Sequence, residues 1–309
     1  MKILITGGAG FLGSWLCDKL YEQGHTLLVL DDLSTGSLAN IEHLLNKPNF
    51  DFIHHDISHP VQIGYVDEIY NLACPASPQH YQIDPVKTIK TCVLGAINML
   101  DLALKYNAKI LQTSTSEIYG NPLEHPQSET YWGNVNPIGP RSCYDEGKRS
   151  AETLFYDYHR QYKVNIRVAR IFNTYGPKMS KNDGRVISNF INQALEDKPI
   201  TIYGQGNQTR SFCYVNDLID GLVKLQQSSL TCPINLGNPT EKTIIEIAQT
   251  IVSMTNSKSQ IVYKDLPADD PERRRPNIQR AKDYLQWQAQ TDLPTGLRAT
   301  IDFFKRTPQ

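Results

Sequence analysis

The chain has 309 residues, of which 40% are hydrophobic and 20% are charged, and its formal net charge is −1. This composition is ordinary for a soluble globular protein, and the length fits one large domain or two unequal ones. A chain without excess charge has no overall attraction for nucleic acid or for an anionic membrane. We therefore expect neither partner, and any anionic ligand must be held by local positive groups.

The six cysteines are scattered without a Cys-x-x-Cys pair, which favours reduced thiols over a disulfide framework. No apolar stretch approaches the length needed to span a membrane. The segment Met1 to Gly7 is typical of a strand that enters a glycine loop rather than of a signal peptide. The sequence therefore predicts a cytoplasmic protein.

A glycine-rich loop follows the first predicted strand, Ile3 to Thr6, and precedes an amphipathic helix that ends at Gly24. Glycines allow a tight turn and a close approach of the backbone to a phosphate, and the helix N-terminus attracts negative charge. This context predicts a dinucleotide-binding loop formed by Gly7, Gly10, Phe11, Leu12 and Gly13.

Two aspartates, Asp31 and Asp32, follow the second predicted strand, Thr26 to Leu30. An acidic side chain at this point can accept hydrogen bonds from an adenosine ribose and repels a 2′-phosphate, which favours NAD over NADP. Two aspartates on a solvated turn are the alternative. We take Asp31 as the ribose ligand because its spacing from the glycines fits.

The segment His54 to His59, after the third predicted strand at Phe50 to Ile53, superficially resembles a metal-binding cluster. No further His or Cys follows at ligand spacing, so we predict no metal site. The end of a strand in this type of fold usually faces adenine, which makes Asp56 and Ile57 the candidates to flank that ring.

An amphipathic helix, Pro85 to Lys105, separates predicted strands at Glu68 to Ala73 and Lys109 to Gln112. This alternation predicts an α/β fold with a doubly wound parallel sheet of the Rossmann type. Ligands bind at the carboxyl ends of such strands, and there Thr113 to Gly120 supplies hydroxyl groups and a carboxylate. Capping of the following turn is the simpler role for this cluster.

Tyr144 and Lys148 stand four residues apart in a predicted helix, Tyr144 to Tyr162, which follows a Pro-rich loop at 121–141. On a helix this spacing places both side chains on one face, so the cation is expected to lower the pKa of the phenol. A tyrosine with a lowered pKa can take a proton from an alcohol. Two side chains on a solvated helix surface are the alternative.

The regular alternation ends after a sixth predicted strand, Asn165 to Phe172. We predict a NAD-binding Rossmann domain over 1–175, to which 213–240 returns. The remainder, 176–309, is predicted to form mainly a second, smaller, mixed α/β domain that binds substrate.

Four motifs together resemble the extended short-chain dehydrogenase/reductase superfamily that modifies nucleotide sugars: Thr6 to Gly13, Thr113 to Gly120, Tyr144 with Lys148, and Arg170 to Pro177. Longer runs resemble the UDP-glucuronate decarboxylase family almost residue for residue: Tyr131 to Arg149, Asn182 to Val186, and Gln208 to Phe212. The resemblance covers nearly the whole chain and is far more specific than a glycine loop.

The resemblance implies a reaction in which NAD oxidises the sugar's C4 hydroxyl, the C6 carboxylate leaves as carbon dioxide, and return of the hydride gives UDP-xylose. In it Tyr144 takes the proton, Lys148 holds Tyr144 and the ribose, and Thr115 positions the hydroxyl. Glu117 is implied to orient the sugar carboxylate or a water, and we expect its pKa to be raised. Related 4,6-dehydratases carry an aspartate where Ser116 stands, so dehydration lacks its acid here.

Further ligand contacts are also implied. For NAD they are Asp32, Thr35, Asp56, Ile57, Leu72, Ala73, Thr91, Thr174 and Arg185, besides the glycine loop, Asp31, Tyr144 and Lys148. For UDP-glucuronate they are Glu117, Tyr144, Asn173, Asn189, Tyr203, Arg210 and Arg274. Tyr203 is expected to stack on uracil, with a structural role at a strand end as the alternative. At least one of Arg273, Arg274 and Arg275 is expected to lie in a solvated loop.

Members of the family dimerise through two long helices, so the resemblance implies a homodimer formed by the segments 85–105 and 144–162. Three other functions remain open. A UDP-sugar 4-epimerase shares Thr115, Tyr144 and Lys148 but has no need for Glu117. A 4,6-dehydratase-like enzyme is the second, and the third is an NAD-binding regulator, which needs none of these residues for activity.

Overall fold

The computed structural model describes residues 1–266, 271 and 273–306. Its strands, in chain order, are β1 (Lys2–Thr6), β2 (Thr26–Asp31), β3 (Phe50–His54), β4 (Glu68–Asn71), β5 (Lys109–Thr115), β6 (Ile166–Ile171), β7 (Thr174–Tyr175), β8 (Ile200–Tyr203), β9 (Thr209–Ser211), β10 (Cys213–Tyr214), β11 (Ile234–Leu236), β12 (Glu241–Thr243), β13 (Ile261–Lys264) and β14 (Arg273–Arg274). The α-helices are α1 (Phe11–Glu22), α2 (Pro78–Tyr81), α3 (Pro85–Tyr106), α4 (Ser142–Tyr162), α5 (Val186–Leu195), α6 (Val215–Gln227), α7 (Ile244–Thr255), α8 (Gln279–Leu285) and α9 (Leu293–Arg306).

A seven-stranded parallel sheet has the order β11-β6-β5-β4-β1-β2-β3. Parallel strands need crossover helices, and these helices bury both faces of the sheet. The order reverses beside β1, which makes a topological switch point at the carboxyl ends of β1 and β4. The predicted α/β, doubly wound architecture is confirmed.

Alternate side chains of β1 enter two separate hydrophobic cores. Ile3 and Ile5 pack with Leu16 of α1 on one face of the sheet. Leu4 packs with a second cluster that includes Met99 of α3 and Phe155 of α4. Because the side chains of a strand alternate in direction, one apolar strand anchors helices on both faces and fixes the loop that follows it.

The strand β5 continues three residues beyond its predicted end at Gln112. Thr113, Ser114 and Thr115 pair with the last three residues of β6, so the hydroxyl cluster begins inside the sheet. A short 3-10 turn, Ser116–Tyr119, then carries the chain out. Thr115 is therefore held by the hydrogen-bond ladder of the sheet rather than by a free loop.

Among the residues that the structure describes, three small sheets lie outside the main one: β10-β7, β12-β9-β14 and β13-β8. The helices α3 and α4 pack side by side over the main sheet and share one hydrophobic cluster. In the described ranges no helix is both long enough and apolar enough to cross a membrane.

Candidate active site

The loop between β1 and α1 is shaped by glycines that no other residue could replace without displacement. Gly7 has φ +71°, a backbone conformation that side chains with a Cβ rarely adopt. A Cβ on Gly13 would lie 2.0 Å from the carbonyl oxygen of Gly7. The loop is therefore closed against the start of α1, and it leaves a cradle for a phosphate group at the helix N-terminus.

Two acidic residues after this loop have different partners. Asp31 is buried and accepts hydrogen bonds from the backbone N–H groups of Ala9 and Leu33, both at 2.9 Å. Asp32 instead accepts a 2.6 Å hydrogen bond from Lys87 of α3, whose ammonium also lies 3.6 Å from Asp56. This ion pair joins the residue that follows β2 to α3 at the edge of the cavity, and no pattern in the sequence pointed to Lys87.

Tyr144 and Lys148 are buried on one face of α4, as their spacing predicts. The ammonium of Lys148 lies 5.8 Å from the Tyr144 ring centroid and donates a 2.9 Å hydrogen bond to the carbonyl of Thr113. Burial raises the pKa of Tyr144, and its hydrogen bond with Thr115 opposes that rise without cancelling it. The expected lowering of this pKa is wrong, because loss of water around the phenol outweighs the favourable contacts.

The ring of Tyr81 stacks on Tyr144 with 5.1 Å between centroids and 2° between planes. Tyr81 is the last residue of the short helix α2, sixty-three residues before Tyr144, and it is buried. The stack fixes the plane of the Tyr144 ring. Only the three-dimensional fold brings these two aromatics together, so neither periodicity nor spacing could have revealed the contact.

Two arginines converge on Glu117. Its Oε2 accepts a 2.9 Å hydrogen bond from Arg141, and its Oε1 accepts a 3.1 Å hydrogen bond from Arg274. Burial alone would raise the pKa of Glu117, but the charges of Arg274 and Arg141 outweigh it and hold the pKa at about 2. The expected raised pKa is therefore wrong, because the two guanidinium groups pair with the carboxylate.

Neighbouring strands bring Arg210 and Arg274 to the same place. Arg210 on β9 is the register partner of Arg274 on β14, and both residues are buried. Arg274 also donates hydrogen bonds to the Ser116 hydroxyl at 2.9 Å and to the Gly120 carbonyl at 2.8 Å. Of the three consecutive arginines, Arg274 is therefore buried, and Arg273 is the one that is exposed to solvent.

Four further predicted contacts, Arg185, Asn189, Thr174 and Tyr203, also line the cavity. Arg185 makes a two-point ion pair with Asp183, with distances of 2.5 and 2.7 Å. Asn189 donates a 2.8 Å hydrogen bond to the carbonyl of Gly184, and Thr174 bonds to the carbonyl of Phe172 at 2.9 Å. Tyr203 is 44% exposed at the end of β8, so its ring is accessible to a ligand.

All of the predicted contacts line one cavity of about 1200 Å³. Cavities for a single small ligand usually measure about 300–1,000 Å³, so this volume suits two ligands side by side. The lining includes Gly7, Gly10, Phe11, Leu12, Gly13, Asp31, Asp32, Thr35, Asp56, Ile57, Leu72, Ala73, Thr91, Thr115, Glu117, Tyr144, Lys148, Asn173, Thr174, Arg185, Asn189, Tyr203, Arg210 and Arg274.

The histidine-rich segment after β3 does not gather a metal site. His54 and His55 direct their ring nitrogens to the carbonyls of Asp32 and His59. Among the residues that the structure describes, no group of three His, Cys, Asp or Glu side chains could hold a metal ion.

Sequence reasoning missed Arg141 and Asp145, which flank Tyr144. Arg141 begins the turn that leads into α4, and its guanidinium reaches Glu117 across the cavity. Asp145 is buried, and burial together with the nearby Glu117 raises its pKa to about 8. Both lie in the run that carries the family resemblance, and a charged residue on each side of Tyr144 was the available signal.

Comparison with known proteins agrees with this geometry. The family model for GDP-mannose 4,6 dehydratase matches residues 4–300. UDP-glucuronic acid decarboxylase 3 of Arabidopsis thaliana is 55% identical over 306 residues, covering 99% of this chain and 89% of that protein. UDP-glucuronic acid decarboxylase 1 of Danio rerio is 54% identical over 305 residues, covering 99% of this chain and 73% of that protein.

A solved structure of UDP-glucuronic acid 4-epimerase from Bacillus cereus, in complex with UDP-glucuronic acid and NAD, has a TM-score of 0.88 to this chain. It is 28% identical, and the alignment covers 99% of each chain. Taken with the 54–55% identity to the two decarboxylases, these matches show that the chain belongs to the UDP-glucuronic acid decarboxylase family of the extended short-chain dehydrogenase/reductases.

Proposed function

We propose that this protein is an NAD-dependent UDP-glucuronate decarboxylase that forms UDP-xylose through a 4-keto sugar. The observation that carries the proposal is the convergence of Arg141 and Arg274 on Glu117, in the same cavity as Thr115 and Tyr144. Two guanidinium groups at one point suit a substrate carboxylate, because arginine binds carboxylates through paired hydrogen bonds.

The glycine loop, Asp31 and Lys148 are the residues we assign to the cofactor. The close approach of Gly13 to Gly7 leaves the space that a pyrophosphate needs, and Asp31 lines the cavity where an adenosine ribose would lie. NAD, when bound, supplies a hydride acceptor that takes the hydrogen from C4 and returns it within the same turnover. Lys87 neutralises part of the acidic edge through Asp32, and Asp31 stays available for the ribose.

Tyr144 takes the proton from the sugar's O4 as the hydride leaves C4, and it returns this proton at the end. Its hydrogen bond with Thr115 holds the two oxygens together, so the substrate hydroxyl can meet both groups. The stacked ring of Tyr81 keeps the phenol in that direction. Lys148 supplies the positive charge that a buried phenolate requires.

Glu117, with a pKa of about 2, is ionised at neutral pH. A sugar carboxylate that binds to Arg141 and Arg274 must share these cations with Glu117, and the two negative charges repel each other. Departure of neutral carbon dioxide relieves this repulsion, and the electrons pass to the C4 carbonyl. C5 then receives a proton, so one proton is consumed in each turnover.

Arg210 is assigned to the substrate end, where a diphosphate needs positive charge and a uridine needs a stacking surface. Arg210 lies beside Arg274 in the register of β9 and β14, and exposed Tyr203 offers its ring to the base. We accordingly assign NAD binding to 1–175 with 213–240, and mainly substrate binding to 176–309.

The proposal is tested by incubating the purified protein with UDP-glucuronate labelled with carbon-13 at C6. We expect labelled carbon dioxide and a UDP-pentose, identified by mass. A product of unchanged mass that is identified as UDP-galacturonate would instead show a 4-epimerase, the candidate that the similarity to the Bacillus cereus enzyme favours. An unaltered substrate in the presence of added NAD would refute both.

We also propose that the protein is a cytoplasmic homodimer. Six free cysteines suit a reducing compartment. The side chains of Val86 and Leu94 on α3 are 60% and 42% exposed, which supports a partner helix against this surface. Light scattering should give twice the chain mass.

A further inference from the structure

Two cysteine thiols, those of Cys74 and Cys92, lie in contact with each other near Tyr144 and Lys148. The sulfur atoms of Cys74 and Cys92 are 3.3 Å apart. Cys74 is in the loop after β4 and lines the large cavity, whereas Cys92 is on α3 and is only 3% exposed. They are separated by seventeen residues of loop and helix, so the fold, and not local sequence, brings them together.

Cys92 also lies against α4, the helix that carries the proposed base. A Cβ placed on Gly147 would be 3.0 Å from the Cβ of Cys92 and 3.1 Å from its sulfur. The helices α3 and α4 therefore touch at this point without spare room. The hydrogen bond from Cys74 lowers the pKa of Cys92 against the effect of burial, and the charge of Lys148 acts in the same direction.

We propose that Cys74 and Cys92 are an oxidation site, at which a small peroxide converts the two thiols into an intramolecular disulfide. A disulfide bond measures roughly 2.0 Å between sulfurs, so the two atoms must approach by about 1.3 Å. Because Cys74 lines the cavity, a molecule as small as hydrogen peroxide can reach the pair by the route that ligands use.

The chemistry balances with hydrogen peroxide as the oxidant. One sulfur, as a thiolate, attacks a peroxide oxygen, so that an S–O bond forms, the O–O bond breaks, and hydroxide leaves with the released proton as water. The second thiol attacks the sulfenic sulfur, an S–S bond forms, the S–O bond breaks, and a second water leaves. The two sulfurs lose two electrons, which reduce the peroxide.

The disulfide would disturb catalysis by moving the loop that contains Cys74, which packs against the glycine loop. Its formation pulls the loop that contains Cys74 toward α3, and the neighbouring Ala73 packs against Gly7, where a Cβ would lie 2.9 Å from the Ala73 backbone. A displacement of about 1 Å in an active site can reduce the rate by about 100-fold. We expect turnover to fall at least about tenfold and to recover when a dithiol restores the two thiols.

The test treats the purified protein, with whatever nucleotide it retains, with hydrogen peroxide and then follows both mass and activity. We expect a loss of two hydrogen atoms and a cross-linked peptide pair that contains Cys74 and Cys92, reversed by dithiothreitol. The variant Cys92→Ser should have the same activity after peroxide treatment as it had before. The control variant Cys232→Ser, at a half-buried cysteine elsewhere, should be inhibited like the wild type.

The activity readout rests on the proposed function, whereas the cross-link is detected by mass alone, so the two failures are distinguishable. Oxidation of either sulfur to a sulfinic acid without a cross-link would overturn the proposal. Equal inhibition of Cys92→Ser and the wild type would overturn its catalytic part, even if the disulfide formed.

Discussion

At the scale of single residues, the site is set by how burial competes with charge. Tyr144 is buried and Glu117 is half-buried, yet the pKa of Tyr144 is raised and that of Glu117 is held at about 2. The difference is the number of cations in contact. Glu117 touches two guanidinium groups, while the ammonium of Lys148 is 5.8 Å from the centre of the phenol ring.

Replacement of the proposed base, Tyr144→Phe, should reduce kcat by about 10²–10⁴-fold, because the change removes the proton acceptor and little else. The stacking surface for Tyr81 remains, so we expect binding of NAD and UDP to be retained, as measured by calorimetry. Tyr162→Phe, at the exposed end of the same helix, is the matched control and should be active. Near-normal turnover of Tyr144→Phe would remove Tyr144 from the mechanism.

Asp145 predicts a pH dependence of stability. Burial and the charge of Glu117 raise the pKa of Asp145 from 3.8 to about 8. Between pH values of about 4 and about 8, Asp145 is therefore protonated in the folded state and ionised in the unfolded state. The free energy of unfolding should therefore fall as pH rises from about 4 to about 8. Asp145→Asn should flatten this slope in urea titrations at a series of pH values. An unchanged slope in the variant would contradict the assignment.

At the scale of elements, local patterns predict what lies within one element, and long-range pairing supplies the rest. The β1 strand, its glycine loop, α1 and the Tyr144 and Lys148 face of α4 follow from spacing alone. The meeting of Arg210 with Arg274 does not, because it depends on β9 and β14 pairing across more than sixty residues. The predicted directions of the pKa shifts of Tyr144 and Glu117 are wrong for the same reason, because both shifts depend on neighbours that only the tertiary structure supplies.

The ion pair between β6 and α4 should be costly to break, because both of its partners are buried. Arg170 donates hydrogen bonds of 3.0 and 2.7 Å to the two oxygens of Glu152, and both residues are buried. Arg170→Met leaves that carboxylate buried without its partner, so the free energy of unfolding should fall by about 3–5 kcal/mol. Denaturant titration measures this change.

Two controls define this prediction. The double variant Arg170→Met with Glu152→Leu should recover much of the loss, because it removes the charge that was left unpaired. Arg160→Met breaks an exposed pair on α4, whose arginine side chain is 65% exposed, and should cost less than about 1 kcal/mol. If the buried and exposed variants cost the same, the buried pair has no special role.

At the scale of the whole molecule, the main sheet and the small sheets together line one cavity whose volume suits two ligands. The carboxyl ends of β1 and β5 supply the glycine loop and Thr115, while β9 and β14 bring Arg210 and Arg274 from outside the main sheet. The class of fold could be predicted because it follows from the alternation of strands and helices. The gathering of the proposed contacts in one cavity agrees with the family resemblance, which named those residues. The contacts of Lys87 with Asp32 and of Tyr81 with Tyr144 could not be predicted, because each joins two elements that are distant in sequence.

The central claim is that the sugar lends a hydride from C4 and receives the same hydride back. The most direct measurement uses UDP-glucuronate with deuterium at C4, converted in ordinary water by the protein with its bound cofactor. We expect a UDP-pentose that retains the deuterium at C4 and carries a solvent proton at C5. A pentose product that has lost the C4 deuterium, or a product that keeps six carbons, would contradict it.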